Sequence, residues 1–243
     1  MTNDKNLLER TVGELVAEDY RAAEVFKKKG IDFCCGGKKT VAEVCMQKGI
    51  DAAGLETDLA HLDEVVVANR LNFREWTLPF LADYIMNVHH RYVREKIPQI
   101  VQYARKVAQV HGHAYPETII ISQRFEQLAE ELFTHLEKEE HILFPYVKRL
   151  WEVKDGEGRI VAPPFGSAQN PIRVMEAEHE FAGETMQEIR QWSNNFTLPE
   201  GACNTYRVLF NLLEEFEADL HQHVHLENNI LFPGAVALEQ EVL

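Results

Sequence analysis

Apolar residues recur at helical spacing through the long segment from about Pro79 to His111. There the spacing is kept by Leu81, Ile85, Val88 and Tyr92. Further long helices are expected over about 117–150, 171–194 and 202–232. A loop rich in Gly, Pro and charge, at 152–170, separates the second helix from the third. The pattern predicts an all-α fold whose larger part is a bundle of four helices.

A smaller unit precedes the bundle. Thr11 and Glu14 have the spacing of a capping box, and the helix AEDYRAAEVFKKKG is expected to end at Gly30. A second capping box, at Thr40 and Glu43, begins a helix expected to end at Gly49. The predicted organisation is therefore a small helical domain at 1–58, a connector at 59–77 and a four-helix bundle at 78–243.

One segment of the bundle occurs twice. The sequence ELFTHLEKEEHILFP at 131–145 recurs as DLHQHVHLENNILFP at 219–233, an offset of 88 residues. The offset carries His135 onto His223 and Glu139 onto Glu227. Both copies contain His-x-x-x-Glu, and residues four apart lie on the same face of a helix. Each copy therefore offers one nitrogen and one oxygen ligand.

Each half also has an earlier helical histidine. His179 precedes His223 by 44 residues, and His90 precedes His135 by 45. His89 is adjacent to His90, and neighbours on a helix point about 100° apart, so only one can face a shared site. The repeat alone does not choose between them, because the offset of 88 residues from His179 falls on Arg91. Two such halves predict a bundle with a pseudo-twofold axis.

Together the two halves supply four imidazoles and two carboxylates. These are His90, His135, Glu139, His179, His223 and Glu227. Such a set suits iron or manganese better than structural zinc, which favours cysteine-rich tetrahedra. Six ligands could fill one octahedron, but two symmetry-related carboxylates could instead bridge a pair of metals. We expect the pair, with two histidines for each metal and positions open to a small ligand. Glu140 and Glu178, next to ligands, are candidates to shape this site or lie on solvated faces.

Composition limits the partners. The chain has 243 residues, of which 45% are hydrophobic, enough for one large or two small domains with a core. It has no apolar run of the roughly 20 residues that span a membrane and begins with no signal peptide, so a cytoplasmic protein is expected. The net charge of −14 argues against nucleic acid or an anionic membrane as a partner.

Two of the four cysteines are adjacent, in the sequence Cys34-Cys35-Gly36-Gly37. Lys38, Lys39 and the start of the next helix could lower the pKa of these thiols. The pattern favours a reactive or metal-accepting thiol pair. The alternative is a pair of small buried residues at a turn.

These motifs together resemble the Repair of Iron Centres family, hemerythrin-like di-iron proteins with an N-terminal ScdA-type domain. The resemblance rests on IDFCCGGKKT, on VMEAEHEFAGE and on the two HxxxE…LFP helices, and covers almost the whole chain. It places the first helical ligand on His90, since Arg94, Glu95 and Pro98 match in register. It implies that the other histidine ligands are His135, His179 and His223. The implied bridging carboxylates are Glu139 and Glu227, and the paired cysteines are Cys34 and Cys35.

The resemblance implies repair of iron–sulfur clusters damaged by nitric oxide or peroxide, with damaged iron–sulfur proteins as clients. The expected cofactor is a non-haem centre of two iron ions with an oxo or hydroxo bridge, proposed as an iron donor. Cys34 and Cys35 could relay iron to the client. Two other classes stay open: an enzyme that reduces nitric oxide or reacts with oxygen, and a sensor or carrier of these gases.

Overall fold

The computed structural model describes residues 7–62, 72–159 and 162–243, and these ranges contain helices and no β-strand. The predicted all-α class is confirmed. The α-helices are α1 (Val12–Glu18), α2 (Ala22–Lys28), α3 (Val41–Lys48), α4 (Ala52–Ala60), α5 (Leu78–Tyr84), α6 (Arg91–His111), α7 (Glu117–Lys138), α8 (Phe144–Lys154), α9 (Gln169–Trp192), α10 (Asn204–Leu226) and α11 (Phe232–Val242).

The N-terminal helices begin at the predicted caps. Thr11 and Thr40 each form both hydrogen bonds of a capping box, and α3 ends at Gly49, whose φ of 65° lies in the left-handed region. One expectation was wrong: the helix predicted to reach Gly30 is interrupted at Asp19, where the backbone is extended. The carboxylate of Asp19 accepts a hydrogen bond from the backbone amide of Arg21 at 3.0 Å, and this turn separates α1 from α2.

Four long helices form the bundle, and three of them contain a π-helical segment. Ile85–His90 joins α5 to α6, Glu139–Leu143 joins α7 to α8, and Glu227–Leu231 joins α10 to α11. The third helix of the bundle, α9, is continuous. In the bundle, α6 packs against α7 and α10, and α7 packs against α9.

Two of these helices extend beyond their predicted ends. The second reaches Lys154 rather than 150, and the fourth reaches Val242 rather than 232. Proline cannot donate the usual backbone hydrogen bond and is therefore unfavourable in the interior of a helix. Instead Pro145 and Pro233 each lie at the start of a new α-helical segment, just after a π-helical turn. The first turn of a helix tolerates a missing donor, so the chain continues in the same direction.

The core consists of two apolar clusters with a polar layer between them. The larger cluster joins the N-terminal helices to the α6, α7 and α10 part of the bundle, with Phe26, Phe125 and Phe216 fully buried. The smaller cluster fills the other end, around Phe144 and Phe232. The predicted metal ligands lie between the two clusters and are nearly inaccessible to solvent.

The predicted connector at 59–77 lies partly outside the described residues, because 63–71 are not among them. Within the described part, α4 runs to Ala60, and Phe73–Glu75 forms a short 3₁₀ turn with Phe73 buried. The domain boundaries therefore stay a prediction. In the described ranges, none of the helices has the length and apolar character needed to cross a membrane.

Candidate metal centre

The structure brings the six predicted ligands together in two overlapping clusters. One cluster contains His90 and His223, and the other contains His135 and His179. Both clusters include the carboxylates of Glu139 and Glu227, and within each cluster the ligand atoms lie within 4.8 Å of one another. Each cluster therefore combines histidines from both halves of the repeat.

The two carboxylates are each shared between the two clusters. Glu227 places Oε1 3.1 Å from Nε2 of His223 and Oε2 3.2 Å from Nε2 of His179, so its two oxygens face different clusters. Glu139 places Oε2 3.2 Å from Nε2 of His135 and 3.4 Å from Nε2 of His90. A carboxylate shared in this way can hold two cations side by side.

The π-helical segments coincide with this site. His90, Glu139 and Glu227 all lie within them, and such segments often occur at functional sites. In the first segment both neighbouring histidines are buried. His90 directs Nε2 towards the two carboxylates, whereas Nδ1 of His89 lies 2.9 Å from Oδ1 of Asp219. The structure thus brings His90, and not His89, into the clusters.

The residues present fit a pair of metal ions. Four buried atoms have no hydrogen-bond partner in the part of the chain that the structure describes: Nε2 of His90, both oxygens of Glu139 and Oε2 of Glu227. Nε2 of His135 and Nε2 of His179 lie only 3.0 Å apart. Two buried carboxylates and converging imidazole nitrogens are costly to leave without a cation, because burial removes the water that would solvate them. Metal ions would meet this need, and the nitrogen and oxygen donors suit iron or manganese.

Without metal, the site holds protons instead. Burial by itself would lower the pKa of His90, but the neighbouring Glu139 and Glu227 outweigh it and raise that pKa to about 10. The pKa of His135 is likewise raised to about 10, against the effect of burial, chiefly by Glu139. Burial and Glu227 would raise the pKa of Glu139, yet the adjacent histidines hold it at about 2. A binding metal must displace these imidazole protons.

Three of the four histidines donate Nδ1–H to a side-chain oxygen. His90 donates to Glu140 at 2.8 Å, His135 to Glu178 at 2.9 Å and His179 to Asn228 at 2.9 Å. Such partners fix the orientation of a metal-binding imidazole and increase its basicity. Nδ1 of His223 is buried without a partner among the described residues.

The sequence indicated two of these acceptors and missed the third. Glu140 and Glu178 were candidates beside the ligands, and both accept hydrogen bonds from histidines. Asn228 was overlooked, although it follows Glu140 by 88 residues and is therefore its counterpart in the repeat. The offset that identified the ligands could have found Asn228.

The cysteine pair lies beside the centre. Its Sγ atoms are 4.0 Å apart, and Sγ of Cys35 donates to the backbone carbonyl of His179 at 3.4 Å. Asp32 holds the turn by accepting hydrogen bonds from the backbone amides of Cys34, Cys35 and Gly36. Both cysteines line a cavity of about 300 Å³ together with residues of α9.

The expected lowering of the thiol pKa is wrong for Cys34. A hydrogen bond with Cys35, burial and the charge of Asp32 all raise the pKa of that thiol well above its usual value. Lys38, which was expected to lower it, instead pairs with Glu176 at 2.6 Å. A buried, protonated Cys34 is a poor nucleophile.

Two glycines let the N-terminal helices approach the metal-binding helix closely. Nδ2 of Asn229 donates to the backbone carbonyls of Phe33 and Cys34, at 3.3 Å each. A Cβ atom at Gly13 or Gly37 would lie 2.2 or 2.4 Å from Oδ1 of Asn229, too close for any other residue without displacement. Asn229 follows Glu227 by two residues, so this contact holds the cysteine turn next to the metal-binding part of the helix.

Comparisons with known proteins agree with this architecture. The hemerythrin HHE cation binding domain matches residues 81–235, and the ScdA_N domain of unknown function (DUF542) matches residues 8–63. The iron–sulfur cluster repair protein YtfE of Enterobacter sp. (strain 638) is 36% identical over 231 residues, covering 95% of this chain and 98% of the relative. The protein of the same name from Yersinia pestis (strain Pestoides F) is 36% identical over 227 residues, covering 93% and 96%. The chain therefore belongs to the family of iron–sulfur cluster repair proteins that combine a ScdA_N domain with a hemerythrin-like domain.

Proposed function

We propose that this protein repairs iron–sulfur clusters damaged by nitrosative or oxidative stress, and that it does so by donating iron from a di-iron centre. The observation that carries the proposal is the pair of buried clusters that share Glu139 and Glu227. The names of the relatives support cluster repair, and the donor set supports iron. The ligands of the pair would be His90, His135, His179 and His223 with the two shared carboxylates.

The ligand chemistry favours transfer of iron to a damaged cluster. The donors are imidazole and carboxylate, whereas the acceptor is rich in sulfur, and softer sulfur ligands favour iron in the ferrous state. As an iron ion leaves, Nε2 of His90 and Nε2 of His135 can take up protons, because the pKa of each imidazole is raised to about 10 in the metal-free site. Protonation stabilises the emptied site and disfavours return of the ion.

We further propose that Cys34 and Cys35 act as a relay, either by receiving iron or by contacting the client. Their contact with the backbone of His179 supports this role. A Cys34→Ala, Cys35→Ala double variant that keeps two iron ions should repair clusters more slowly. Full-rate repair by that variant would rule out the relay and leave the di-iron proposal intact.

The deciding experiment uses a [4Fe–4S] dehydratase inactivated by nitric oxide and incubated anaerobically with the iron-loaded protein. Recovery of dehydratase activity is expected, together with loss of iron from the protein. A His223→Ala variant should lose iron and fail to repair. His113→Ala is the matched control, because His113 is exposed and belongs to none of the possible metal-binding groups among the described residues. Failure of the intact protein, with two irons confirmed, would contradict iron donation.

A second candidate is chemistry with nitric oxide or oxygen at the metals. Each cluster offers only four donor side chains, which leaves coordination positions for a small ligand. With an electron donor supplied, anaerobic conversion of two nitric oxide molecules to nitrous oxide and water over many turnovers would favour this reductase. Binding without turnover would favour a sensor or carrier.

A further inference from the structure

The two metal positions differ in the hydrogen-bond partners of their histidines. The repeat shows which partner one of the positions lacks. Matching His90 to His179 also matches the residues immediately before them, His89 and Glu178. Glu178 accepts a hydrogen bond from Nδ1 of His135 at 2.9 Å and is itself held by Lys138. The pseudo-twofold axis relates His135 to His223. His89 therefore occupies the place where His223 would find its carboxylate.

His89 does not replace that carboxylate. Its ring stacks on the ring of His223, with an interplanar angle of 7° and centroids 5.6 Å apart. No hydrogen bond joins the two rings, since Nε2 of His89 also has no partner among the described residues. Nδ1 of His89 is already 2.9 Å from Oδ1 of Asp219, one turn before His223 on α10. Within the described ranges, Nδ1 of His223 is left buried and without a partner.

The consequence concerns how firmly each ion would be held. Both histidines of the His135/His179 cluster are oriented by a side-chain acceptor, Glu178 or Asn228. In the other cluster only His90 is oriented in this way, by Glu140. Loss of one such partner typically weakens metal binding by about 10- to 100-fold.

We propose that the two metal positions are unequal, and that the ion bound by His90 and His223 is the first to leave. This inference rests on the proposed function, since it identifies the iron that would be donated. The thiol turn contacts the backbone of His179, in the other cluster.

A half-depleted protein tests the order of release directly. The iron-loaded protein is treated anaerobically with ferrozine until one iron per chain has been removed, then crystallised, and an iron anomalous difference map is calculated. The remaining ion is expected between His135 and His179. An ion remaining between His90 and His223, or equal density at both positions, would overturn the proposal.

Two substitutions test the cause. In a His89→Gln variant, the amide oxygen can accept from His223 while the amide nitrogen donates to Asp219, as Asn228 already accepts from His179. Release of the first iron to ferrozine should slow by about 10-fold or more. Glu178→Leu should speed release of the second iron by a similar factor, whereas Glu184→Leu, on the same helix but exposed, should change neither phase.

The results separate this inference from the proposed function. An unchanged first phase in a folded His89→Gln variant, checked by its melting temperature, would overturn the role of His89. Fewer than two irons in the unmodified protein would overturn the centre and the inference together. If the two irons leave in the expected order but the dehydratase is not repaired, only the proposed function is contradicted.

Discussion

The polar layer of the bundle and the apolar clusters on either side of it bury their side chains in opposite ways. Phe125 and Phe216 in the larger cluster, and Phe144 and Phe232 in the smaller, gain stability simply by leaving water. In the layer between them, Glu139 and Glu227 are fully buried and form ion pairs with histidines. Three of their four oxygens have no hydrogen bond from any described residue. That burial costs free energy, which the protonated His90 and His135 offset in part when no metal is bound.

The difference separates what folds the chain from what makes it function. The apolar clusters require only residues of suitable size at helical spacing, and such positions tolerate many replacements. The polar layer requires particular atoms at particular places, and three helices adopt π-helical turns there. Substitutions in the two regions should therefore have separable effects on stability and on metal content.

The largest effect is expected for Glu227→Ala. This change removes the carboxylate that both clusters share, so iron should fall from two ions per chain to well below one. Glu239→Gln is the matched control, since Glu239 is also buried but bonds to Tyr146, Ser167 and Ala168 in the smaller apolar cluster. Iron analysis of the purified proteins makes the comparison. Two irons in Glu227→Ala would show that the carboxylates do not bridge.

Phe125→Ala should have the converse effect. Removing a buried phenyl ring from the larger cluster should lower the free energy of unfolding by about 3–5 kcal/mol, because a cavity remains. Iron content at low temperature should stay at two ions per chain. Denaturant unfolding and iron analysis measure the two quantities. Loss of iron from the folded variant would contradict the independence of the two regions.

The repeat made the polar layer predictable at the level of ligands. An offset in the sequence preserved His135, Glu139, His223 and Glu227, because the same helix is used twice. The choice between His89 and His90 needed the family resemblance, since the π-helical turn alters the angular positions on which a helical wheel depends.

Other features were beyond the reach of the sequence. The helix after Pro233 was missed because the π-helical turn that precedes this proline leaves no separate signal in the sequence. Contacts made only in three dimensions, such as Cys35 with His179, leave no periodic signal. The pKa of Cys34 was misjudged for the same reason, because nearby lysines in the sequence do not contact the thiol.

Removing the metal should have an intermediate effect. A ligand at about 1,000 times its dissociation constant stabilises the folded state by about 4 kcal/mol. In a chain of this size, each kcal/mol shifts the melting temperature by about 2–4 °C. Calorimetry of iron-loaded and metal-free protein should therefore show a difference of about 10 °C. Glu227→Ala should melt at the same temperature with and without iron, and a persisting difference would place the stabilising ion elsewhere.

The smallest effect is expected for pH, which should change the difference in melting temperature between the iron-loaded and the metal-free protein. In the metal-free protein the pKa of His90 and of His135 is about 10, above the roughly 6.5 expected in the unfolded chain. Their contribution to stability is therefore complete below about pH 6.5 and is lost as the pH rises towards 10. Bound iron replaces those protons, so the loaded protein does not share this loss. The gap between the two melting temperatures should widen from pH 7 to pH 8.5. A constant gap would mean that iron binding displaces no protons from these histidines.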